Sequence, residues 1–308
     1  MNNNQKGILF ACTTALFWGF LAIFLKIAVQ KVEPQTIVWF RFTTAFTVLL
    51  IWHLIEKPSE LKILAKPPFW LLIAAIGLAW NYFGFMQAVN YTSPSNAQLI
   101  AQLGPVLLTI AGLLFFNEKL RRIQIVGFIL AAIGFGIFYS QQLQQMLDQK
   151  NTYNIGVLFA ISAAVSWVAY AVMQKKLVIK YSTDTLNLFL FGFPAVAYLP
   201  FVNFNNFSGL SLGWWILLIF LGLNTLIAYG SLSLALKYTQ ANKVSIILLL
   251  NPTITFVTMA ILTSMEVSWI EGERFTAFSL LGAFTILLGA VFVVKQKSKW
   301  KKPEAEIK

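Results

Sequence analysis

The chain consists of long apolar runs separated by short polar connections. A helix needs about 20 apolar residues to cross the roughly 30 Å hydrocarbon core of a bilayer. Ten runs reach about this length, at 7–29, 34–55, 69–90, 94–116, 121–140, 154–174, 184–204, 213–236, 243–265 and 275–295. The pattern predicts an all-α membrane protein with ten transmembrane helices. The first run is too long for a signal peptide, and the glutamine-rich segment from Gln141 to Tyr153 is interpreted as a polar linker.

Composition supports a membrane environment and excludes several classes of function. Of the 308 residues, 58% are hydrophobic and 11% are charged, whereas a soluble domain carries about 25% charged residues. The net charge of +12 would suggest nucleic-acid binding in a soluble chain, but the basic residues lie between the apolar runs, so we expect no nucleic-acid partner. The single cysteine, Cys12, provides neither a disulfide nor a metal-ligand spacing. We therefore expect no metal and no cofactor.

The placement of lysine and arginine predicts the orientation, because cytoplasmic loops accumulate them. With the N-terminus inside, eighteen of the 23 Lys and Arg residues fall on the cytoplasmic side, against Lys31, Lys150 and Arg274 outside. This bias requires an even number of spans. It predicts a multi-pass protein of the cell inner (cytoplasmic) membrane with both termini cytoplasmic.

An internal repeat relates the two halves of the chain. A shift of 149 residues carries Trp18 and Lys26 onto Trp167 and Lys175. A shift of 147 carries Tyr91, Thr92 and Pro105 onto Tyr238, Thr239 and Pro252, and a shift of 155 carries Gly127 and Gly134 onto Gly282 and Gly289. Each unit then has five spans, and an odd number forces the second unit to cross the membrane upside down. Such inverted repeats place the substrate site of many secondary transporters at the repeat interface.

Several motifs occur along the chain in a characteristic order. They are TALFWG (14–19), WFRF (39–42), LGPVLLTIAGLLFFNE (103–118), the glycines at 127 and 134, SWVAYAVMQKK (166–176) and LNPTITF (250–256). Together they resemble the drug/metabolite transporter superfamily, specifically its ten-helix EamA-type members. The resemblance covers about residues 7 to 295. It implies two EamA-type five-helix repeats, 1–147 and 148–308, the second with a basic cytoplasmic tail, and a transporter that exports its cargo.

Polar positions inside the spans are candidate cargo contacts, because such groups usually face the bundle interior or a wet cavity. Asn81 lies on a helical stripe of small residues in the third span, and Asn224 lies on the corresponding stripe of the eighth span. Each stripe is compatible with close helix packing or with a cavity wall. In the fourth span Gln98 and Gln102 share a face, and in the ninth span Asn251 precedes Pro252. These amides could line a cavity or bond a neighbouring helix.

Aromatic residues at mid-depth are further candidates. Trp18 and Trp167 lie away from the interfacial belt where tryptophan usually gathers. Their indole N–H groups need partners, so we expect these rings to point inward. The tyrosines at similar depth are Tyr82, Tyr170 and Tyr229. These aromatic rings either wall a binding cavity or fill a large core.

Charge inside the spans is limited to one clear case, Arg41. Its side chain could snorkel to the outer headgroups, contact an anionic group of the cargo or brace the outer gate. All eleven acidic residues lie in loops, tails or helix ends, and the first span reads Phe17-Trp18-Gly19 where small multidrug-resistance relatives carry a glutamate. Cation–proton antiport is therefore disfavoured. His53, at the inner end of the second span, is interpreted as an interfacial residue.

The sequence thus predicts a secondary transporter or facilitator that works by alternating access around a central cavity. Its cargo would be a small neutral, zwitterionic or anionic organic solute, such as an amino acid or related metabolite. The alternative is a non-transporting membrane partner or lipid-handling protein. An enzyme is disfavoured because the spans lack acids and the only histidine is peripheral. The fifth and tenth spans, with their paired glycines, would act as scaffold or as the face of a homodimer.

Overall fold

A computed structural model describes residues 1–116, 122–148, 151–273 and 276–294. Within these ranges the regular structure is helical. The α-helices of the first half are α1 (Asn3–Ala28), α2 (Pro34–Glu56), α3 (Lys62–Ala65), α4 (Phe69–Tyr91), α5 (Pro94–Ile100), α6 (Leu103–Phe116) and α7 (Arg122–Asp148). Those of the second half are α8 (Asn151–Leu177), α9 (Thr183–Tyr198), α10 (Leu212–Tyr238), α11 (Ala241–Leu248), α12 (Asn251–Ser264) and α13 (Ala277–Val294). Short 3₁₀ turns at Pro58–Leu61, Leu199–Phe201 and Phe204–Phe207 complete the connections.

Seven helical segments of the described chain are long and apolar enough to cross a membrane. They are Asn3–Ala28, Pro34–Glu56, Phe69–Tyr91, Asn154–Leu177, Thr183–Phe201, Leu212–Tyr238 and Ala241–Ser264, with Arg122–Ile137 as a shorter apolar helix. These segments correspond to the first, second, third, sixth, seventh, eighth and ninth predicted spans. The all-helical membrane architecture is therefore confirmed, and the count of ten spans stays a prediction.

Two of the predicted spans are broken helices. The fourth is divided between α5 and α6 by a turn at residues 101–102, and the ninth is divided between α11 and α12 by a turn at 249–250. Pro105 and Pro252 follow these turns within the first helical residues of α6 and α12. Proline has no N–H and its ring clashes with the carbonyl four residues earlier, so it fits best in the first turn of a helix and tends to break or kink a helix elsewhere. The two breaks thus fall at corresponding places in the two halves.

The segment from Gln141 to Tyr153 was predicted to be a polar linker, but the described part of it is helical. Helix α7 continues to Asp148 and α8 begins at Asn151, with residues 149 and 150 outside the described part. The segment is rich in glutamine and also contains Leu143, Met146 and Leu147, and all three residue types are good helix formers. Polarity marked the end of the apolar run but did not end the helix.

Helices from the two halves pack against each other in opposite directions. In the pairing of α1 with α10, the Thr14 hydroxyl donates to the carbonyl of Ala228 at 3.0 Å, and Asn224 donates to the carbonyl of Phe17 at 2.9 Å. Position along α1 therefore rises as position along α10 falls. Helices α4 and α8 pack in the corresponding way, because Gly77 lies against the carbonyl of Ser166 and Gly84 against that of Phe159. One apolar core spans both halves of the chain.

Helices α7 and α13 show the same antiparallel relationship through glycine. A Cβ atom at Gly134 would lie 2.8 Å from the carbonyl oxygen of Gly282, and one at Gly289 would lie 2.5 Å from that of Gly127. The backbones can approach this closely only because these positions have no side chain. The glycines that were candidates for a scaffold or a dimer face therefore pack within the chain.

Candidate functional site

A cavity lies between the two halves, lined by residues from both. Aromatic side chains and a few convergent polar groups form its lining, as in binding sites for small organic molecules. Nine of the eleven candidate residues from the sequence line it: Trp18, Arg41, Asn81, Tyr82, Gln98, Gln102, Trp167, Tyr229 and Asn251. The structure therefore brings together residues from α1, α2, α4, α5, α8, α10 and α12, and from the turn between α5 and α6.

Aromatic rings form much of the wall, and they meet in pairs related by the internal repeat. The rings of Trp18 and Trp167 lie 6.0 Å apart, edge to face at 72°. The rings of Tyr82 and Tyr229, which a shift of 147 residues also relates, lie 5.3 Å apart. Trp18 also contacts Tyr229 at 5.0 Å and so joins the two pairs. Edge-to-face and tilted contacts at these distances are favourable for aromatic quadrupoles.

Asn81 links the wall to the opposite half of the chain. Its amide nitrogen donates to the carbonyl of Ala163 in α8 at 3.0 Å, and its oxygen accepts from the Tyr229 hydroxyl at 3.1 Å. Its stripe neighbours Gly77 and Gly84 instead pack on the α8 backbone, where a Cβ atom would lie within 3 Å of a carbonyl oxygen. The two interpretations of this stripe thus apply to different residues of it.

Two candidate residues lie outside the cavity lining. Asn224 is fully buried and ties α10 to α1 through the carbonyl of Phe17. Tyr170 is also fully buried, and its ring packs behind Tyr229 at 5.6 Å. Both contribute to the packing around the cavity, because they support residues that reach it.

The amides of the broken helices face the cavity with unused hydrogen-bonding capacity. Gln98 donates to the carbonyl of Trp18 at 2.7 Å, and Gln102 donates to the carbonyl of Gln98 at 3.0 Å. Within the described chain, Gln102 Oε1, Asn251 Oδ1 and Trp167 Nε1 have no hydrogen-bond partner. An unmet buried polar atom destabilises the protein unless something pairs with it. Because their residues line the cavity, these atoms are candidate hydrogen-bond partners for a bound molecule.

Arg41 is 2% exposed and lines the cavity, so the snorkelling interpretation is wrong. Its Nε donates to the Thr225 hydroxyl at 3.2 Å. Its guanidinium carbon lies 4.4 Å from the centre of the Tyr82 ring, a cation–π contact. Among the described residues that line the cavity there is no Asp or Glu.

Four lining residues were not identified from the sequence: Leu21, Phe85, Ala101 and Ala164. Each lies three residues along the chain from a residue that was identified. Positions three apart share a helix face. Helical periodicity applied to Trp18, Tyr82, Gln98 and Trp167 could therefore have found all four.

A separate polar cluster joins the end of α2 to the start of α9. His53 Nδ1 lies 2.8 Å from the carbonyl oxygen of Leu49, so it carries the proton and leaves Nε2 facing Asp184 at 3.6 Å. The ligand atoms of His53, Glu60 and Asp184 lie within 4.8 Å of one another, a set that could hold a metal ion. Lys57 already places a positive charge there through a 2.9 Å bond to Asp184, which raises the pKa of the lysine.

Comparison with known proteins decides the family. The sequence profile of the EamA-like transporter family matches residues 5–140 and again residues 154–295. The chain belongs to the EamA-like transporter family. An Escherichia coli K12 protein described as the uncharacterized inner membrane transporter YhbE is 33% identical over 290 residues, covering 93% of this chain and 90% of that protein. An uncharacterized transporter of Haemophilus influenzae is 33% identical over 286 residues, covering 92% and 93%.

A solved structure supports the fold independently. A protein of known crystal structure superposes with a TM-score of 0.70 at 19% identity, covering 94% of this chain and 97% of that one. This EamA-family member is thus a membrane transporter and not an enzyme, as the sequence predicted. The Escherichia coli relative is named an inner membrane transporter, and seven helical segments of the described chain are long and apolar enough to span a bilayer.

Proposed function

We propose that this EamA-family protein is a secondary transporter or facilitator that moves a small neutral, zwitterionic or anionic organic solute by alternating access around the central cavity. The observation that carries the proposal is the position of this cavity between the two halves, with lining residues from both. A site between two units becomes accessible from one side or the other when the units rock against each other. Amino acids and related metabolites are the proposed cargo, and export is the proposed direction.

The proposed architecture is ten spans in two inverted five-helix units, 1–147 and 148–308. Support comes from the two matches to one family profile and from the antiparallel packing of corresponding helices. Helix α7 corresponds to α13, and their glycine contacts exchange under a shift of 155 residues: Gly134 meets Gly282, and Gly289 meets Gly127. Corresponding helices that run in opposite directions are expected when one unit is inverted. In this architecture the proposed position of both termini is the cytoplasm, which the excess of basic residues in the connections on that side supports.

The chemistry of the lining supports the proposed cargo class. Amides and aromatic rings dominate the wall, and the one charged lining residue among those described is Arg41. A permanent cation would find no counter-ion there, and an acid-free site offers no obvious proton carrier. The proposal therefore excludes exchange of protons for cationic drugs.

The test is transport by purified protein in liposomes. The panel contains amino acids, aromatic metabolites and quaternary amines, each assayed by counterflow with and without a pH gradient. We expect counterflow for a solute that is not a cation. Asn81→Ala, Gln102→Ala and Trp167→Ala should each lower its apparent affinity by about tenfold, the effect of losing one buried contact.

The matched control is Trp70→Ala, because Trp70 is half-exposed near the start of α4 and lies outside the cavity lining. This variant should transport like the native protein. Proton-driven exchange of quaternary amines would contradict the charge argument. Native transport by all three cavity variants would show that the solute follows another path.

A further inference from the structure

The environment of Arg41 leaves its charge without an anionic partner. The side chain is 2% exposed, and its identified contacts are the Thr225 hydroxyl and the face of the Tyr82 ring. Both groups are neutral. Within the described ranges, neither salt bridge found at the His53–Asp184 cluster involves Arg41, and no described carboxylate pairs with its guanidinium. A buried charge without a counter-ion is strongly unfavourable in a membrane protein.

The internal repeat shows that this charge is a one-sided feature of the cavity. The aromatic residues are paired across the two halves, as Trp18 with Trp167 and Tyr82 with Tyr229. Shifts of 147 to 155 residues, which relate the halves, carry Arg41 onto residues 188–196, and that stretch contains no basic residue. The described cavity lining therefore carries one positive charge, from the first half, and not one from each half.

The rest of the lining is suited to the uncharged part of a solute. The unpartnered atoms Gln102 Oε1, Asn251 Oδ1 and Trp167 Nε1 are neutral acceptors and a neutral donor. The rings of Trp18, Trp167 and Tyr229 provide flat apolar walls. A solute with one negative group and a flat, mostly neutral body would meet each of these surfaces.

We propose that the cargo carries a carboxylate, and that this carboxylate binds Arg41 in the cavity and supplies the missing counter-charge. This inference rests on the proposed transport function and makes its cargo class more specific. The planar guanidinium can donate two parallel hydrogen bonds to a carboxylate. Its Nε is already engaged with Thr225, so the terminal nitrogens are the donors directed to the cargo.

The experiment compares probes that differ in charge but hardly in shape. Benzoate and benzamide are planar and nearly isosteric, and phenyltrimethylammonium carries a permanent positive charge. Binding to the purified full chain in detergent is measured by titration calorimetry at neutral pH. We expect benzoate to bind about ten- to hundredfold more tightly than benzamide, the range for a hydrogen bond to a charged group. Phenyltrimethylammonium should not bind.

Substitutions at Arg41 assign that preference to its charge. Arg41→Gln should reduce the ratio of benzoate to benzamide affinity to about one, and Arg41→Lys should retain part of it because a positive charge remains. The matched control is Arg122→Gln, since Arg122 is an exposed arginine at the start of α7. It should keep the native ratio. Melting temperature and elution volume identify any variant that has not folded.

The outcomes separate this inference from the transport function. Equal binding of benzoate and benzamide by the native protein would overturn the carboxylate proposal, even if Arg41→Gln fails to fold. A native affinity ratio in folded Arg41→Gln, or no benzoate binding at millimolar concentration, would also overturn it. Transport of neutral solutes in liposomes would leave the carrier function standing in each case. If no solute of any charge moves, the transport function itself is wrong.

Discussion

Lys26 in α1 donates from Nζ to the carbonyl oxygen of Thr92 at 2.9 Å, at the point where α4 ends. The same ammonium also contacts the carbonyl of Val89 at 3.2 Å. Its repeat counterpart Lys175 in α8 donates to the carbonyl oxygen of Thr239, where α10 ends, at 3.3 Å. In each half, a lysine of the first long helix (α1 or α8) thus caps the carboxyl end of the third long helix (α4 or α10). The shifts that align Lys26 with Lys175 and Thr92 with Thr239 are nearly equal, so the two halves make the same contact between corresponding residues.

Removal of the cap should destabilise the first unit. Lys26→Met keeps the length of the side chain but loses the hydrogen bonds and the favourable interaction of a cation with a helix C-terminus. We expect a loss of about 1–2 kcal/mol in the free energy of unfolding, measured as a lower melting temperature in detergent. Lys31→Met is the control, because Lys31 is exposed. Equal melting temperatures for the two variants would show that the cap contributes nothing.

The contact between α7 and α13 should be sensitive to a single methyl group at the right position. Gly134→Ala would place a Cβ atom 2.8 Å from the backbone of Gly282, whereas Gly136→Ala on the same helix meets nothing within 4 Å. We expect Gly134→Ala to lose about 1–3 kcal/mol through overpacking. Gly136→Ala should be neutral or stabilising, since alanine is the better helix former. Thermal unfolding of both variants checks this, and the reverse order would contradict the packing.

The break before α12 should be required for cargo binding. Pro252→Ala restores an N–H group and removes the ring that prevents a continuous helix, so we expect the turn at 249–250 to become helical. Asn251 would then change its direction, and the apparent affinity for the transported solute should fall by about tenfold. The control is Pro194→Ala, because Pro194 lies inside α9 and not in the cavity lining. Counterflow measures both variants, and equal loss in both would indicate a general effect of proline.

The ring contact between Trp18 and Trp167 should appear as an energetic coupling between the two halves. The rings meet edge to face at 6.0 Å, and such pairs contribute about 0.5–1.5 kcal/mol beyond their buried area. A double-mutant cycle of Trp18→Leu and Trp167→Leu, followed by thermal unfolding, should give a coupling in that range. The paired substitutions Trp18→Leu and Trp70→Leu should be additive, because Trp70 is an exposed residue near the start of α4 and does not line the cavity with Trp18. Additivity of the first pair would mean that the contact carries no net energy.

Much of the candidate site could be predicted because membrane burial restricts polar residues so strongly. Nine of the eleven candidate residues line one cavity. Asn224 and Tyr170 could not be separated from them, since a polar residue that supports a wall and one that forms it have the same sequence signal. Leu21 and Phe85 were missed because apolar residues are ordinary in a membrane helix, and only a neighbour such as Trp18 or Tyr82 marks their face.

The sequence by itself determined the membrane environment, the helical class and the internal repeat. These follow from composition and periodicity, because a bilayer core demands long apolar helices with internally satisfied backbones. Only the tertiary structure decided that the polar stretch after residue 140 continues as helix, and that Arg41 points into the cavity without a carboxylate beside it. Helix termini and side-chain partners depend on contacts between segments distant in the chain, such as Arg41 with Thr225. The local pattern of hydrophobic and polar residues does not determine such contacts.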